Sequence, residues 1–486
     1  MQTYEKFFIG GKWVDPAGSG TLEVVSPFTE EVVGRVPEST IADMDRAVAA
    51  ARAAFDNGPW PHMSPNERAD IMASISAEIT SRTDEFATLI STEMGAPYTF
   101  AQMGHVFAAT AVLDYYANLA REFAFEEVRQ GMLGPTVVRR EPVGVAAGII
   151  PWNVPLFIIM LKLGPALASG STMVIKPAPE TPLDAFVLAE IIERSGLPEG
   201  VVNIVPADRE VGEHLVRHPD IDKVAFTGST AAGRRIGAIC GEQLKRVTLE
   251  LGGKSAAILC DDVNLDEALP QLMPAALMNN GQACVAQTRI LAPRSRYEEI
   301  KDALAEAVAN FTVGDPLDPA TECGPLVAER QRQRVEGYIA KGKEEGATLV
   351  VGGGRPSHLD RGYFVEPTLF ADVDNSMTIA REEIFGPVLS LIPYDGGDDE
   401  AVAIANDSDY GLSGSVWTSD PERGLEIARR VRTGTYQVNM LAMDFGAPFG
   451  GFKASGIGRE LGPEGLHAYL EDKSIAMPMG TEPTLR

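Results

Sequence analysis

The sequence predicts an α/β protein of more than one domain, built on parallel sheet covered by helices. Three observations predict it. The chain has 486 residues, more than one hydrophobic core supports, which implies two or three domains. Over 143–252, β-rich segments alternate with helical ones, as in a parallel sheet whose strands are joined by helices. Over 253–431 the alternation repeats, with no internal sequence repeat behind it. Strand order is not legible from periodicity.

The elements follow in order. Strands are expected over 20–25 and 31–35, then a helix over 41–55 that starts after Thr40 and is rich in alanine, which loses little entropy in a helix. Ser64-Pro65-Asn66-Glu67 is a helix start: a serine cap, a proline whose missing N–H needs no partner in the first turn, and a glutamate that completes a capping box. That helix should run to about 82, and 136–140 is strand-like. The first alternating region offers strands over 143–150, 171–176, 201–205, 223–227 and 246–251, with helices over 183–193, 210–217 and 231–239. In the second, the segments 255–259, 265–278, 289–291, 297–310, 330–344, 348–351 and 388–393 carry the alternation.

The formal net charge of -26 disfavours phosphate backbones and anionic membrane surfaces as partners, so neither nucleic acid nor membrane is expected. The first 15 residues lack the basic and apolar regions of a secretory signal. The longest apolar stretch, 143–161, is interrupted by Pro, Gly, Asn and Lys and does not read as a membrane span. Four widely spaced cysteines, with no CxxC pair, read as reduced thiols in a cytoplasmic compartment. The six histidines form no HExxH or other metal pattern, so no metal is expected.

Four segments could carry chemistry. Asn279-Asn280-Gly281-Gln282-Ala283-Cys284 places a cysteine in a turn after a helical run. A thiolate is a natural attacker of an aldehyde carbon, giving a thiohemiacetal and, after hydride loss, a thioester; a lone cysteine is more often a packing residue. Glu250 stands between apolar residues before Gly252-Gly253, where burial would raise its pKa and suit it to proton abstraction; the alternative is a satisfied acid or a cap. Asn153, in the rigid turn Pro151-Trp152-Asn153-Val154-Pro155, offers an amide donor to an oxyanion or caps its own backbone. Phe226-Thr227-Gly228-Ser229 runs from a strand into a helix whose free N–H groups would attract phosphate, although it is not a GxGxxG fingerprint.

Together these segments resemble the aldehyde dehydrogenase superfamily, of the non-phosphorylating, hydrolytic, NAD(P)-dependent kind. PWNVP at 151–155, VIKPA at 174–178, FTGST at 226–230, LELGGK at 249–254, GQACVAQTR at 281–289, EEIFGP at 382–387 and PFGGFKASGIGRE at 448–460 occur in the family's order and span nearly the whole chain. The resemblance implies Cys284 as nucleophile and Glu250 as the base for hydrolytic water. It implies Asn153 with the Cys284 backbone N–H as oxyanion hole, and Lys162 as a nearby lysine supporting proton transfer. It places Ile149, Pro151, Trp152, Lys176, Pro179, Glu180, Arg209, Phe226, Gly228, Ser229, Leu251, Gly252, Glu383 and Phe385 at the cofactor. It implies a Rossmann-like cofactor domain over 1–123 and 143–252, an α/β catalytic domain over 253–435, a return segment over 436–465 lining the cleft, and a small β oligomerisation extension over 124–142 and 466–486. Members form dimers or dimers of dimers.

The sequence departs from the family on the adenosine side. The acid often found three positions after the lysine that matches Lys176 is replaced by Pro179, with Glu180 next to it, and a VPGxG run is replaced by Val205-Pro206-Ala207-Asp208-Arg209. Asp208, Glu210 and Glu180 favour NAD; Arg209 favours NADP. NAD is the expected cofactor, with NADP possible. The substrate funnel implied by Val154, Ile158, Leu161, Ala283, Val285, Phe445 and Phe449 is apolar, which points to medium-size aliphatic, terpenoid-like or aromatic aldehydes. A CoA-acylating enzyme is the first alternative, countered by Glu250. A semialdehyde or phosphorylated-aldehyde enzyme is countered by the lack of a basic residue in the funnel. A non-catalytic protein of the same fold is countered by the intact Cys284, Glu250 and Asn153.

Overall fold

A computed structural model describes residues 1–485. Five parallel strands form the centre of an eight-stranded sheet, in the spatial order Arg246–Glu250, Lys223–Thr227, Val145–Ile149, Thr172–Lys176, Val202–Ile204. In chain order that is 5-4-1-2-3, a doubly wound arrangement. The winding direction reverses between Val145–Ile149 and Lys223–Thr227, and ligands of such sheets bind beyond the strand ends at that reversal. The antiparallel pair Phe7–Ile9 and Lys12–Val14 covers one edge, and Gly456–Ile457, from near the end of the chain, covers the other.

A second sheet of seven strands has the order Thr348–Val351, Thr368–Ala371, Val388–Tyr394, Arg289–Pro293, Ala256–Leu259, Gly414–Trp417, Gln437–Val438, parallel except for its first pair. The hairpin Glu126–Gly131 and Gly134–Pro142 pairs with Leu470–Ala476 in a separate antiparallel sheet. Each large sheet has buried apolar clusters on both faces, as a helix-covered parallel sheet requires.

The two N-terminal helices begin where their caps dictate. Thr40 with Asp43, and Ser64 with Glu67, each form a reciprocal capping box at the starts of Ile41–Asn57 and Pro65–Ser81. The helix Pro155–Ser169 follows the 151–155 turn and is buried on every side. Pro155 fits its first turn, and Gly170 ends it at φ 95°, a left-handed position that suits glycine. Sequence periodicity misses this helix because it is apolar all round and has no amphipathic stripe. It also misses Thr83–Met94 and the long helical stretch from Tyr98 to Glu122, which passes through a π-type turn at Ala101–Phe107.

One boundary bears on chemistry. The helix expected over 265–278 stops at Leu277, and Asn279, Asn280 and Gly281 then follow one another at φ 53°, 63° and 72°. Left-handed asparagines are costly unless their surroundings hold them. Here Asn280 donates to the carbonyls of Gly95 and Pro325 and accepts from Gly324 N–H, and Asn279 donates to the carbonyl of Asn153 at 2.8 Å. The turn that delivers Cys284 is therefore pinned from several segments.

Candidate active site

The predicted nucleophile, base and amide donor converge at the carboxyl ends of the sheet strands, beside the reversal point. Val145–Ile149 leads into Asn153, Lys223–Thr227 leads into Gly228, and Arg246–Glu250 ends on Glu250 itself. Gly228 N–H donates to the Glu250 carbonyl at 3.0 Å, tying two strand exits together. After Glu250 the chain turns through two glycines that allow close approach. A Cβ at Gly253 would stand 2.3 Å from the Cys284 carbonyl oxygen, and one at Gly252 would stand 2.6 Å from Glu383 Oε2. Gly253 N–H donates to Glu383 Oε1 at 2.9 Å. The base strand thus meets the cysteine turn backbone to backbone and the EEIFGP segment through the Glu383 carboxylate.

Asn153 is buried, and its Nδ2 donates to the Gln282 carbonyl at 2.8 Å. That bond uses one of its two amide hydrogens and sets the side chain beside the Cys284 turn. Burial, followed by the charges of Glu383 and Glu250, pushes the Cys284 thiol up to about 12, so the resting sulfur is a thiol that needs a proton acceptor. Burial also raises Glu383 to about 7.

Glu250 is buried, and neither of its carboxylate oxygens has a hydrogen-bond partner. Desolvation, then the neighbouring carboxylate of Glu460, holds its pKa well above the usual range; Lys162 and Arg459 oppose this. Its Oε1 points toward Gly450 of the return segment, where any Cβ would come within 2.8 Å. Lys162, fully buried, donates to Glu460 Oε1 and to Thr227 Oγ1, both at 2.7 Å. Glu460 is the residue of this group that sequence reading did not single out, although it closes the PFGGFKASGIGRE motif. Its position is set by a two-way backbone bridge with Phe449, at 2.6 and 2.7 Å.

On the opposite side, Trp152 and Phe385 meet edge to face at 5.3 Å, and Phe385 sits at φ 63°. Ile149, Phe226 and Leu251 are buried, with Phe226 packed against Gly228 and Leu251 against Gly233. Ser229 caps the helix Thr230–Gln243, whose first turn therefore faces the cleft at the strand ends. Lys176 is buried, donates to the Ala207 carbonyl at 2.7 Å, and is lowered to about 8 by desolvation. Glu180 pairs with Arg330 at 2.5 Å, Pro179 is half-buried beside it, and Arg209 is exposed at the start of Arg209–Arg217. Pro151 is half-buried where the turn leaves its strand.

The seven apolar positions divide. Val154, Ile158 and Ala283 are just buried at the core's edge, and Val285 and Phe445 are half-exposed. Leu161, 1% exposed, backs the wall from inside the core, and Phe449, at 6%, stands at the edge with the first three. Two further aromatics join it. Phe157 lies 6.4 Å from Phe445, and Tyr115, on the helix that periodicity missed, lies against Gly446. No lysine or arginine stands among these wall residues.

The family model described as "Aldehyde dehydrogenase family" matches residues 13–475. A geranial dehydrogenase from Castellaniella defragrans is 50% identical over 473 residues, covering 97% of this chain and 98% of its own. A 3-succinoylsemialdehyde-pyridine dehydrogenase from a Pseudomonas species is 44% identical over 480 residues, covering 98% of this chain and 99% of its own. Among solved structures, a Mycobacterium tuberculosis aldehyde dehydrogenase complexed with NAD+ is 54% identical with a TM-score of 0.98, over 99% of this chain and 100% of that one. A mutant of aldehyde dehydrogenase C from Pseudomonas syringae, complexed with NAD+ and octanal, is 44% identical with a TM-score of 0.94, over 97% and 96%.

Proposed function

The chain belongs to the aldehyde dehydrogenase family, and on that premise we propose that it oxidises an apolar aldehyde to the carboxylic acid, with NAD+ as hydride acceptor and water as acyl acceptor. The observation that carries this reading is the convergence of Cys284, Glu250 and Asn153 at the strand ends of a doubly wound sheet. When bound, the nicotinamide supplies the acceptor for a hydride.

The residues supply the rest. The Cys284 sulfur adds to the aldehyde carbon, and its proton passes to Glu250, whose raised pKa makes it an effective acceptor from a thiol. The negative oxygen of the thiohemiacetal is held by Asn153 Nδ2 and the Cys284 backbone N–H. Loss of hydride leaves a thioester. Glu250 passes the thiol's proton to solvent and then takes a proton from water; the water oxygen adds to the acyl carbon, and that proton returns to the sulfur as the C–S bond breaks, releasing the acid and the thiol. Lys162 and Glu460, buried beside Glu250, hold the compensating charge while its proton comes and goes.

The cofactor cleft in this reading lies between Trp152 and Phe385 on the nicotinamide side and Lys176, Pro179, Glu180 and Arg209 on the adenosine side. Ile149, Pro151, Phe226, Gly228, Leu251 and Gly252 form its floor, the Ser229 helix start receives phosphate, and Glu383 lies at the nicotinamide ribose. The units 1–123 and 143–252, 253–435, 436–465, and 124–142 with 466–486 act as cofactor domain, catalytic domain, cleft-lining return and assembly extension. The exposure of Met132 and Leu133 at the hairpin tip, 95% and 86%, supports assembly of like chains through that extension. Among the described residues no helix is long and apolar enough to cross a membrane, and the proposed location is the cytoplasm.

The wall of Val154, Phe157, Ile158, Val285 and Phe445 favours medium-length aliphatic, terpenoid-like or aromatic aldehydes. Each methylene buried there gains about 0.8 kcal/mol, close to fourfold in specificity. A charged semialdehyde would lose hydration without meeting a cation. The test compares acetaldehyde, hexanal, benzaldehyde, a terpenoid aldehyde and succinic semialdehyde by catalytic efficiency, with NAD and NADP, with and without CoA. Hexanal, benzaldehyde and the terpenoid should lead, with no requirement for CoA. A lead for acetaldehyde or the semialdehyde overturns the substrate class, and a CoA requirement overturns the hydrolytic route.

A further inference from the structure

Away from the cleft, three metal-ligating side chains from two helices meet. Asp45 lies on Ile41–Asn57, His214 lies on Arg209–Arg217, and His218 caps the end of that second helix. Their ligand atoms all lie within 4.8 Å of one another. Asp45 Oδ1 is 2.6 Å from His214 Nε2 and 3.5 Å from His218 Nε2, and the two rings meet edge to face at 5.8 Å. The histidines stand four residues apart, so one helical turn presents both rings on the same side. Sequence reading found no metal pattern because the third group lies 169 residues away from His214.

From this arrangement we infer a binding site for a borderline divalent cation of the Zn2+, Co2+ or Ni2+ class, held by His214, His218 and Asp45. Two imidazoles select these ions over Mg2+ and Ca2+, which prefer all-oxygen sites. Tetrahedral coordination at ordinary Zn–N and Zn–O lengths sets donor atoms about 3.3 Å apart. The 3.5 Å separation already matches, and the 2.6 Å hydrogen bond opens when the ion replaces its proton. Side-chain exposures of 32%, 13% and 48% for His214, His218 and Asp45 leave an entry path and room for water as a further ligand.

The surroundings bear on the site from both sides. Asp220 adds negative charge near His218, while Lys245 adds positive charge, but its ammonium is turned to the Val216 and His218 carbonyls. His218 Nδ1 accepts from Asp220 N–H at 3.2 Å, an exposed contact that is released when the ion takes Nε2 and the proton moves to Nδ1. Both helices cover the same face of the eight-stranded sheet, through Met44, Ala47 and Val48 on one and Val211, Leu215 and Val216 on the other. The ion would therefore cross-link two elements that are distant in sequence.

The test uses the full chain carrying Cys284→Ala, so that the reactive thiol does not take the metal. After dialysis against a chelator it is titrated with Co2+, and its thermal midpoint is followed in Zn2+. The expected result is one equivalent of Co2+ with visible ligand-field bands and no thiolate charge-transfer band, together with a midpoint that rises with Zn2+ concentration. His214→Gln and, separately, His218→Gln should each weaken binding about tenfold or more while leaving the metal-free midpoint unchanged. A Co2+ spectrum or Zn2+ response that is the same in both variants as in the parent overturns the site, as does the absence of either signal in the parent.

Discussion

Lys162 and Glu460, 298 residues apart in sequence, form a fully desolvated ion pair of 2.7 Å beside a second carboxylate, Glu250, that has no hydrogen-bond partner. The pair acts on Glu250 in two directions. The Glu460 charge raises its pKa, and Lys162 lowers it. Glu460→Gln should therefore move the acid limb of the thioester-hydrolysis rate toward lower pH, and Lys162→Met should move it toward higher pH, each by about one unit or more. Single-turnover hydrolysis measured across pH reads this directly. Profiles that stay in place in both variants would detach the pair from Glu250.

Cys284→Ala should lower turnover by more than about 1000-fold with cofactor binding retained. Glu250→Gln should behave differently. It should release a slowed burst of reduced cofactor of up to one per site, because the thiol loses its proton acceptor, and then stall, because water loses its base. Stopped-flow absorbance separates the two. A Cys284→Ala enzyme that oxidises aldehydes at the parent rate would remove the covalent route.

Asn153 spends one amide hydrogen on the Gln282 carbonyl, and in the proposed mechanism the other serves the reacting oxygen. Losing one such donor costs roughly 3 kcal/mol, or about 100-fold in the chemical step. Asn153 also holds Asn279 through its own carbonyl, a bond that survives replacement of the side chain. Asn153→Ala should therefore lose rate with little change in thermal midpoint. A loss under about threefold would take Asn153 out of the oxyanion site.

On the adenosine side, Glu180 is engaged by Arg330 while Arg209 stands exposed. The Michaelis constant for NAD should still be lower than that for NADP, because Glu180 and Asp208 place negative charge around Lys176. Pro179→Glu should widen the gap. Equal or reversed constants would show that Arg209 outweighs the acids.

Stability should fall as pH rises through a buried pair of acids. Glu93 and Asp184 are both fully buried. Desolvation raises both, and the Asp184 charge raises Glu93 further, against backbone hydrogen bonds that lower each. An acid whose folded pKa exceeds its unfolded value contributes stability that is complete below the unfolded pKa and is lost as pH climbs through the folded one. The thermal midpoint should thus decline above the ordinary carboxylate range, and Asp184→Asn should flatten that decline. A parent midpoint with no such decline, or one unchanged in slope by the substitution, would argue against raised pKa values in this pair.

What the sequence disclosed follows the range over which each signal acts. Capping boxes at Thr40 and Ser64 are local chemistry, and they mark where their helices begin. The alternation over 143–252 belongs to an α/β fold because each strand of a covered parallel sheet is apolar on both faces. Pro155–Ser169 escaped because total burial erases the 3.6-residue stripe. Asn279 and Asn280 escaped because their left-handed backbone is held from afar, Asn280 by Gly95, Gly324 and Pro325 and Asn279 by the Asn153 carbonyl. Glu460 stood in a recognised motif, yet its partner Lys162 could be named only once the return segment lay against the sheet.

That return has a consequence for biosynthesis. The strand Arg246–Glu250 gains its outer neighbour, Gly456–Ile457, only when the chain beyond residue 456 has left the ribosome. Until then the nascent polypeptide carries a sheet with one bare edge, ending in an acid that has not yet met its companions at 450–460. Bare edges recruit other strands. Chains truncated short of residue 456 would therefore keep the rest of this sheet with a bare edge and be prone to clump.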